Sequence, residues 1–173
     1  TQGSILFDGF VADGSYTAGE LAAINTWVNS GGVLIATSDA EAYDDVSSYF
    51  GLTIGGSGNS TWNVADASHE IMNGPFGLVG NNGDSLQAPG SISDFDRASL
   101  AVGDVVLAND SASGEPTIVL RAHGSGWILF TSDEGIFRAN MTGGGTIATT
   151  NDRLAANIFA WAADRAVPAD SYT

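Results

Sequence analysis

The chain has 173 residues, 43% of them hydrophobic, with 20 acidic against 5 basic residues for a net charge of −15, and it contains no cysteine. That length suits one domain able to bury roughly two-thirds of its unfolded surface, and the composition is too apolar for a disordered chain. Without cysteine there is no thiol catalysis, disulfide, thiolate metal site or iron–sulfur cluster, and so acidic a surface repels nucleic acid and anionic lipid.

The five basic residues are Arg97, Arg121, Arg138, Arg153 and Arg165, and lysine is absent, which excludes Schiff-base chemistry and Lys–Asn isopeptide cross-links. The scarcity of cations, with abundant Gly, Ser, Thr and Asn, points to an exported or cell-surface protein. No apolar run approaches the roughly 18 residues of a membrane span, so no direct membrane insertion is expected. Thr1-Gln2-Gly3-Ser4 offers neither an initiator Met nor an apolar leader, as expected of a processed chain or a piece of a longer one.

Ser4–Phe10 (SILFDGF) is a short apolar run that reads as a buried strand. Thr17-Ala18-Gly19-Glu20 has the form of a capping box, and behind it Leu21, Ile24, Trp27 and Val28 recur at helical spacing until Gly31-Gly32. Val33–Thr37 (VLIAT) reads as a parallel strand covered on both faces. Ser38-Asp39-Ala40-Glu41 is a second capping box, opening an expected helix with Tyr43, Val46 and Phe50 inward and Gly51 at its end. Strand, capped helix, Gly-Gly, strand, capped helix is the pattern of a doubly wound α/β unit.

From Leu52 to Gly103 the pattern loosens into short strands and polar loops, after which Val105–Ala108, Thr117–Ala122 and Trp127–Ser132 read as strands, the last two joined as a hairpin. A final helix is expected to start at Asn151 or Asp152 with Leu154, Ile158 and Trp161 on one face, closing a domain over residues 1–166; residues 167–173 read as an extended tail or linker.

Taken in order, the first strand and capped helix, Gly31-Gly32-Val33-Leu34-Ile35, His69-Glu70-Ile71-Met72-Asn73-Gly74-Pro75-Phe76, the run Gly124–Phe137 and the closing Asn151–Trp161 form a familiar series. Together they resemble the class I glutamine-amidotransferase-like superfamily, in the branch shared by gliding-motility and intraflagellar-transport proteins, near the ThuA-like and β-galactosidase trimerisation domains. The resemblance implies a flavodoxin-like three-layer α/β sandwich, mostly parallel, with an antiparallel C-terminal hairpin. Members of the superfamily usually carry another strand and helix before the segment equivalent to Ser4–Phe10. Here that unit is cut away, replaced by another chain or never existed.

The resemblance also places the chemistry. The superfamily's nucleophilic cysteine, on a tight glycine-flanked turn, matches Thr37, followed by Ser38 and flanked by Ile35 and Asp39; its histidine base falls where this chain reads Ser132-Asp133-Glu134. Nucleophile, base and elbow are therefore all missing, and amidotransferase activity is not expected. Only His69 and His123 could serve another triad; a turn or helix cap accounts for the first and a hairpin for the second.

Ser38-Asp39 and Asp133-Glu134 should lie together at the carboxyl ends of neighbouring strands, where open α/β sheets bind ligands. With Thr37 they could line a vestigial pocket holding a sugar or a cation. The plainer account is that Ser38 and Asp39 cap a helix and Asp133 turns the chain.

No cofactor is expected. Calcium is the one metal the composition invites, with Asp8, Asp13, Asp84, Asp94 and Asp96 in acidic loop clusters. Trp27, Trp127 and Trp161 read as core, and Trp62 as the candidate for stacking on a sugar or a partner.

The expected function is a noncatalytic module of an exported or cell-surface protein, acting in assembly with other subunits or domains, as a homo-oligomer or polymer, or in glycan binding. The alternative is a carbohydrate-active hydrolase using Asp39 with Asp133 or Glu134. The missing first unit predicts a bare sheet edge or helix-facing surface for a neighbour to cover.

Overall fold

The computed structural model describes residues 4–9, 16–39, 44–80, 85–88 and 93–166. In chain order the elements are β1 (Ile5–Asp8), α1 (Ala18–Asn29), β2 (Val33–Thr37), α2 (Asp45–Tyr49), β3 (Ile54–Ser57), β4 (Thr61–Val64), β5 (Asn73–Gly74), β6 (Gly77–Leu78), β7 (Leu86–Gln87), β8 (Ser93–Phe95), β9 (Val105–Asp110), β10 (Pro116–His123), β11 (Gly126–Thr131) and α3 (Thr150–Arg165).

Seven strands form one sheet in the order β1-β2-β11-β10-β9-β4-β7. The β1–β2 and β2–β11 pairs are parallel and the other four antiparallel. The fold is thus α/β with a mixed sheet, and the mostly parallel sheet expected from the sequence is confined to one half. The antiparallel hairpin falls where expected, at β10–β11, with His123 opposite Gly126. The short pairs β3–β8 and β5–β6 lie outside the main sheet.

Side-chain alternation along the central strands builds two cores. Val33, Ile35, Ile118, Leu120 and Leu129 pack with Leu154, Ile158 and Trp161 of α3. Leu34, Ala36, Val119, Ile128 and Phe130 pack with Val28 of α1, Val46 of α2, and Leu52 and Phe95. Period-two alternation on strands covered from both sides yields this arrangement, and it makes β2 the continuous apolar run its sequence suggested. Trp127 and Trp161 meet edge to face at 5.7 Å. The Gly31-Gly32 stop lets α1 sit close on the sheet: Gly31 has φ 110°, and a Cβ on Gly126 would lie 2.2 Å from the carbonyl oxygens of Val28 and Gly32.

The capping box at Thr17 and Glu20 is formed as expected. α3 begins earlier than expected, with Thr149 as its N-cap and Asp152 as the acidic partner of a second formed box.

Two local expectations are corrected. β1 is not a buried strand: among the described residues it is the edge of the sheet, paired with β2 alone, and Leu6 is 39% and Phe7 42% exposed. The next helix among the described residues starts at Asp45, later than expected, and the Ser38 hydroxyl pairs with Ser47 Oγ at 3.1 Å. Ala40, Glu41 and Tyr43, with the tail at 167–173, lie outside the described residues.

Candidate functional site

β2 and β11 run side by side in parallel, Thr37 opposite Thr131, so the residues after each leave the sheet together. The Ser38 N–H donates to the Thr131 carbonyl at 2.9 Å. Ser132 Oγ donates to the Ser93 carbonyl at 2.7 Å, and Ser93 Oγ donates to the Asp39 carbonyl at 2.6 Å, a brace that fixes the Asp39 backbone beside β11. Asp133 opens a 3-10 turn over Glu134–Phe137, its Oδ1 accepting the Gly135 N–H at 2.6 Å. The turn expected at Asp133 is therefore held by one of its oxygens. The turn swings Glu134 back over the strand ends, and one carboxylate oxygen from each of Asp39, Asp133 and Glu134 falls within 4.8 Å of the others.

The electrostatics follow from this crowding. Asp133 is 1% exposed, and its Oδ2 has no hydrogen-bond partner; neither has the buried Oε2 of Glu134. The other Glu134 oxygen meets Arg138 Nη2 at 2.8 Å, one helical turn on. Burial pushes the Asp133 carboxyl up to about 7, opposed by the Gly135 N–H and reinforced by the charges of Glu134 and Asp39. Burial also raises Asp39, against the pull of Arg138. Such a cluster can share a proton or hold a hard cation.

The remaining sequence candidates do not join it chemically. Thr37 lies beneath the site, but its hydroxyl is buried and donates to the Asp8 carbonyl at 2.9 Å. His69 Nδ1 accepts the Ile71 N–H at 3.2 Å, and His123 Nε2 pairs with Asn25 Oδ1 at 2.7 Å, so both imidazoles serve local structure.

The loop aspartates are engaged as acceptors. Asp8 takes the Tyr16 hydroxyl, and Asp96 caps a 3-10 turn through the Ala98 N–H. Asp94 takes the Gly56 N–H and the Ser113 hydroxyl, both at 2.8 Å. Of these candidates none converges with two other carboxylates among the described residues; Asp13 and Asp84 lie outside them.

Trp62 is corrected outright. It sits in β4 between β9 and β7, 0% exposed, because the polar loop or edge strand expected there is an interior strand; its indole faces the α3-side core and offers no stacking platform. A cleft of about 330 Å³ along Asn63, Val64, Leu78 and Ser85 has neither an aromatic nor a titratable lining residue among the described residues.

Sequence reasoning missed Arg138 and Ser93. The spacing of four from Glu134 could have flagged Arg138. Ser93 reaches Asp39 across 54 positions, and no local signal announces that contact.

No family model and no curated protein matches the sequence. Solved structures do. The chain is similar to the mmIFT52 N-terminal domain, with TM-score 0.62 and 11% identity over 92% of this chain and 76% of that one. It is also similar to a ThuA-like protein from Bacteroides uniformis ATCC 8492, with TM-score 0.56 and 12% identity over 91% of this chain and 68% of that one. A third likeness is to a β-galactosidase from Rahnella sp. R3, with TM-score 0.52 and 13% identity; it covers 95% of this chain but only 22% of the enzyme. At these identities the likeness is one of fold.

Proposed function

We propose that this chain is a noncatalytic module of an exported or cell-surface protein, built on the flavodoxin-like scaffold of the amidotransferase-like superfamily and working by contact with a neighbouring polypeptide. The observation that carries the reading is the β1 edge. Among the described residues β1 has a partner strand on one side only, and beside it Phe7 packs on Phe137 at 5.1 Å and on Phe159 at 6.0 Å. Phe7 and Phe159 are nonetheless 42% and 41% exposed. An unpaired strand edge beside exposed aromatics is a surface suited to another strand or domain. The fold likeness to the mmIFT52 domain agrees with an assembly role.

The noncatalytic half rests on the strand ends. Thr37 has its hydroxyl bound to a main-chain carbonyl, no imidazole pairs with it, and a carboxylate stands at the position of the superfamily's base. A glycoside hydrolase is the second reading, favoured by the raised Asp133 carboxyl beside two other acids, which resembles a general acid.

Sedimentation velocity over a wide concentration range, with amide exchange read at Leu6–Asp8, tests the assembly. The wild type is expected to associate and protect these amides, and Phe7→Glu to remain monomeric while still folded by circular dichroism. A monomer at every concentration, with β1 amides exchanging at one rate, would overturn the assembly reading. Release of ammonia from glutamine or cleavage of a glycoside, lost in Asp133→Asn, would overturn the noncatalytic one.

A further inference from the structure

We infer that the carboxylates of Asp39, Asp133 and Glu134 form a calcium site at the carboxyl ends of β2 and β11, with coordination positions left open for water or for the oxygens of a bound molecule. Two independent observations carry this. The first is convergence: three carboxylates, from two separate loops, bring one oxygen each within 4.8 Å. Two oxygens on opposite sides of one calcium stand roughly 4.6–5.2 Å apart, given Ca–O distances of about 2.3–2.6 Å, so a single ion can touch all three. Magnesium demands near-ideal octahedral geometry and gives up its waters reluctantly, whereas calcium accepts the irregular arrangement that carboxylates from two separate loops provide.

The second is the bare oxygen of Asp133. Its side chain is closed off from water, Oδ1 is held by Gly135, and Oδ2 has no donor, as is also true of Glu134 Oε2. Buried polar oxygens without partners are uncommon, and an unmodified fold would place a donor there. Here the nearby cation is Arg138, which pairs with the other Glu134 oxygen. A divalent ion supplies the charge that one guanidinium does not, and it satisfies both orphaned oxygens at once.

The donor set is all oxygen and all carboxylate, which favours a hard cation over zinc or copper in the absence of imidazole and thiolate. Three protein oxygens fall short of the six to eight that calcium takes, so the ion would face outward with open positions. Hydroxyl-bearing ligands such as sugars could complete it.

The test is calorimetric titration of the chelator-treated 173-residue chain with calcium chloride, then with magnesium chloride, at moderate salt. The expected result is one calcium per chain, bound more tightly than magnesium, with affinity weakened by roughly tenfold or more in Asp133→Asn and in Glu134→Gln. Asp164→Asn removes an exposed carboxylate elsewhere and should leave the affinity unchanged. Asparagine at 133 can still accept the Gly135 N–H, so the variant should fold, and metal-free melting curves check this. Glu134→Gln provides the same information if it does not.

Absence of saturable one-to-one binding, or binding untouched by both substitutions, would overturn the site. Tighter magnesium binding would overturn its assignment to calcium. Association through β1 is not read in this titration, so the site and the proposed assembly can fail separately.

Discussion

Asp133 holds one oxygen on the Gly135 amide and keeps the other bare in a position almost closed to water. Its carboxyl is raised to about 7 from 3.8, so the folded chain retains this proton over an interval in which the unfolded chain has released it. Folding stability attributable to this group is therefore greatest at acid pH and declines as pH rises from about 4 to 7. In metal-free protein Asp133→Asn should remove that decline, raising stability above neutral pH by on the order of 1–3 kcal/mol with little effect near pH 4. Urea denaturation at the two pH values in the presence of a chelator measures it. Arg121 presents the opposite case. Its guanidinium meets Asp104 at 2.6 Å with both side chains nearly buried, and it also donates to the Phe50 carbonyl at 2.5 Å. Arg121→Leu strands the Asp104 carboxylate, and a loss of about 3–5 kcal/mol is expected in the same assay.

Among the elements, α1 and α3 start at boxes in which a threonine hydroxyl and an acidic side chain answer each other. Thr17→Ala should cost about 1 kcal/mol. Asp152→Ala should cost more, about 2–3 kcal/mol, because its carboxylate also accepts from Thr142 and Ala148 and is held well below the usual carboxylate range, first by the Thr142 hydroxyl. Chemical denaturation at neutral pH checks both. These helices were legible in the sequence because caps and helical spacing act within a few residues. The central strands were legible because a run such as VLIAT has few other stable fates than burial on both faces. What escaped is non-local. The Ser38 hydroxyl meets Ser47, nine positions along the chain, a contact that the lettering of Ser38-x-x-Glu41 does not announce. The two-residue strands β5, β6 and β7 owe their existence to pairings that no local pattern encodes. The site divides in the same way. Strand order placed Asp39 beside Asp133 and Glu134, whereas the approach of their oxygens depends on the Ser93 brace and a 3-10 turn.

For the molecule as a whole, a net charge of −15 with five arginines means that folding draws like charges together. Screening should relieve part of this: the melting temperature is expected to rise with sodium chloride over the range in which the Debye length falls from about 30 Å to about 8 Å, as scanning calorimetry can show. The sheet also has two halves of different origin. β9, β10 and β11 follow one another along the chain and pair as a meander, which short loop closures can form early. β2 joins β11 only after the intervening chain has been gathered in, the slower kind of event. Asp39 belongs to the β2 side and Asp133 and Glu134 to the meander, so the three carboxylates meet only when β2 pairs with β11. An ion that binds all three would leave the rate of reaching that step largely unaltered and would slow the reverse passage, acting as a latch on the finished fold.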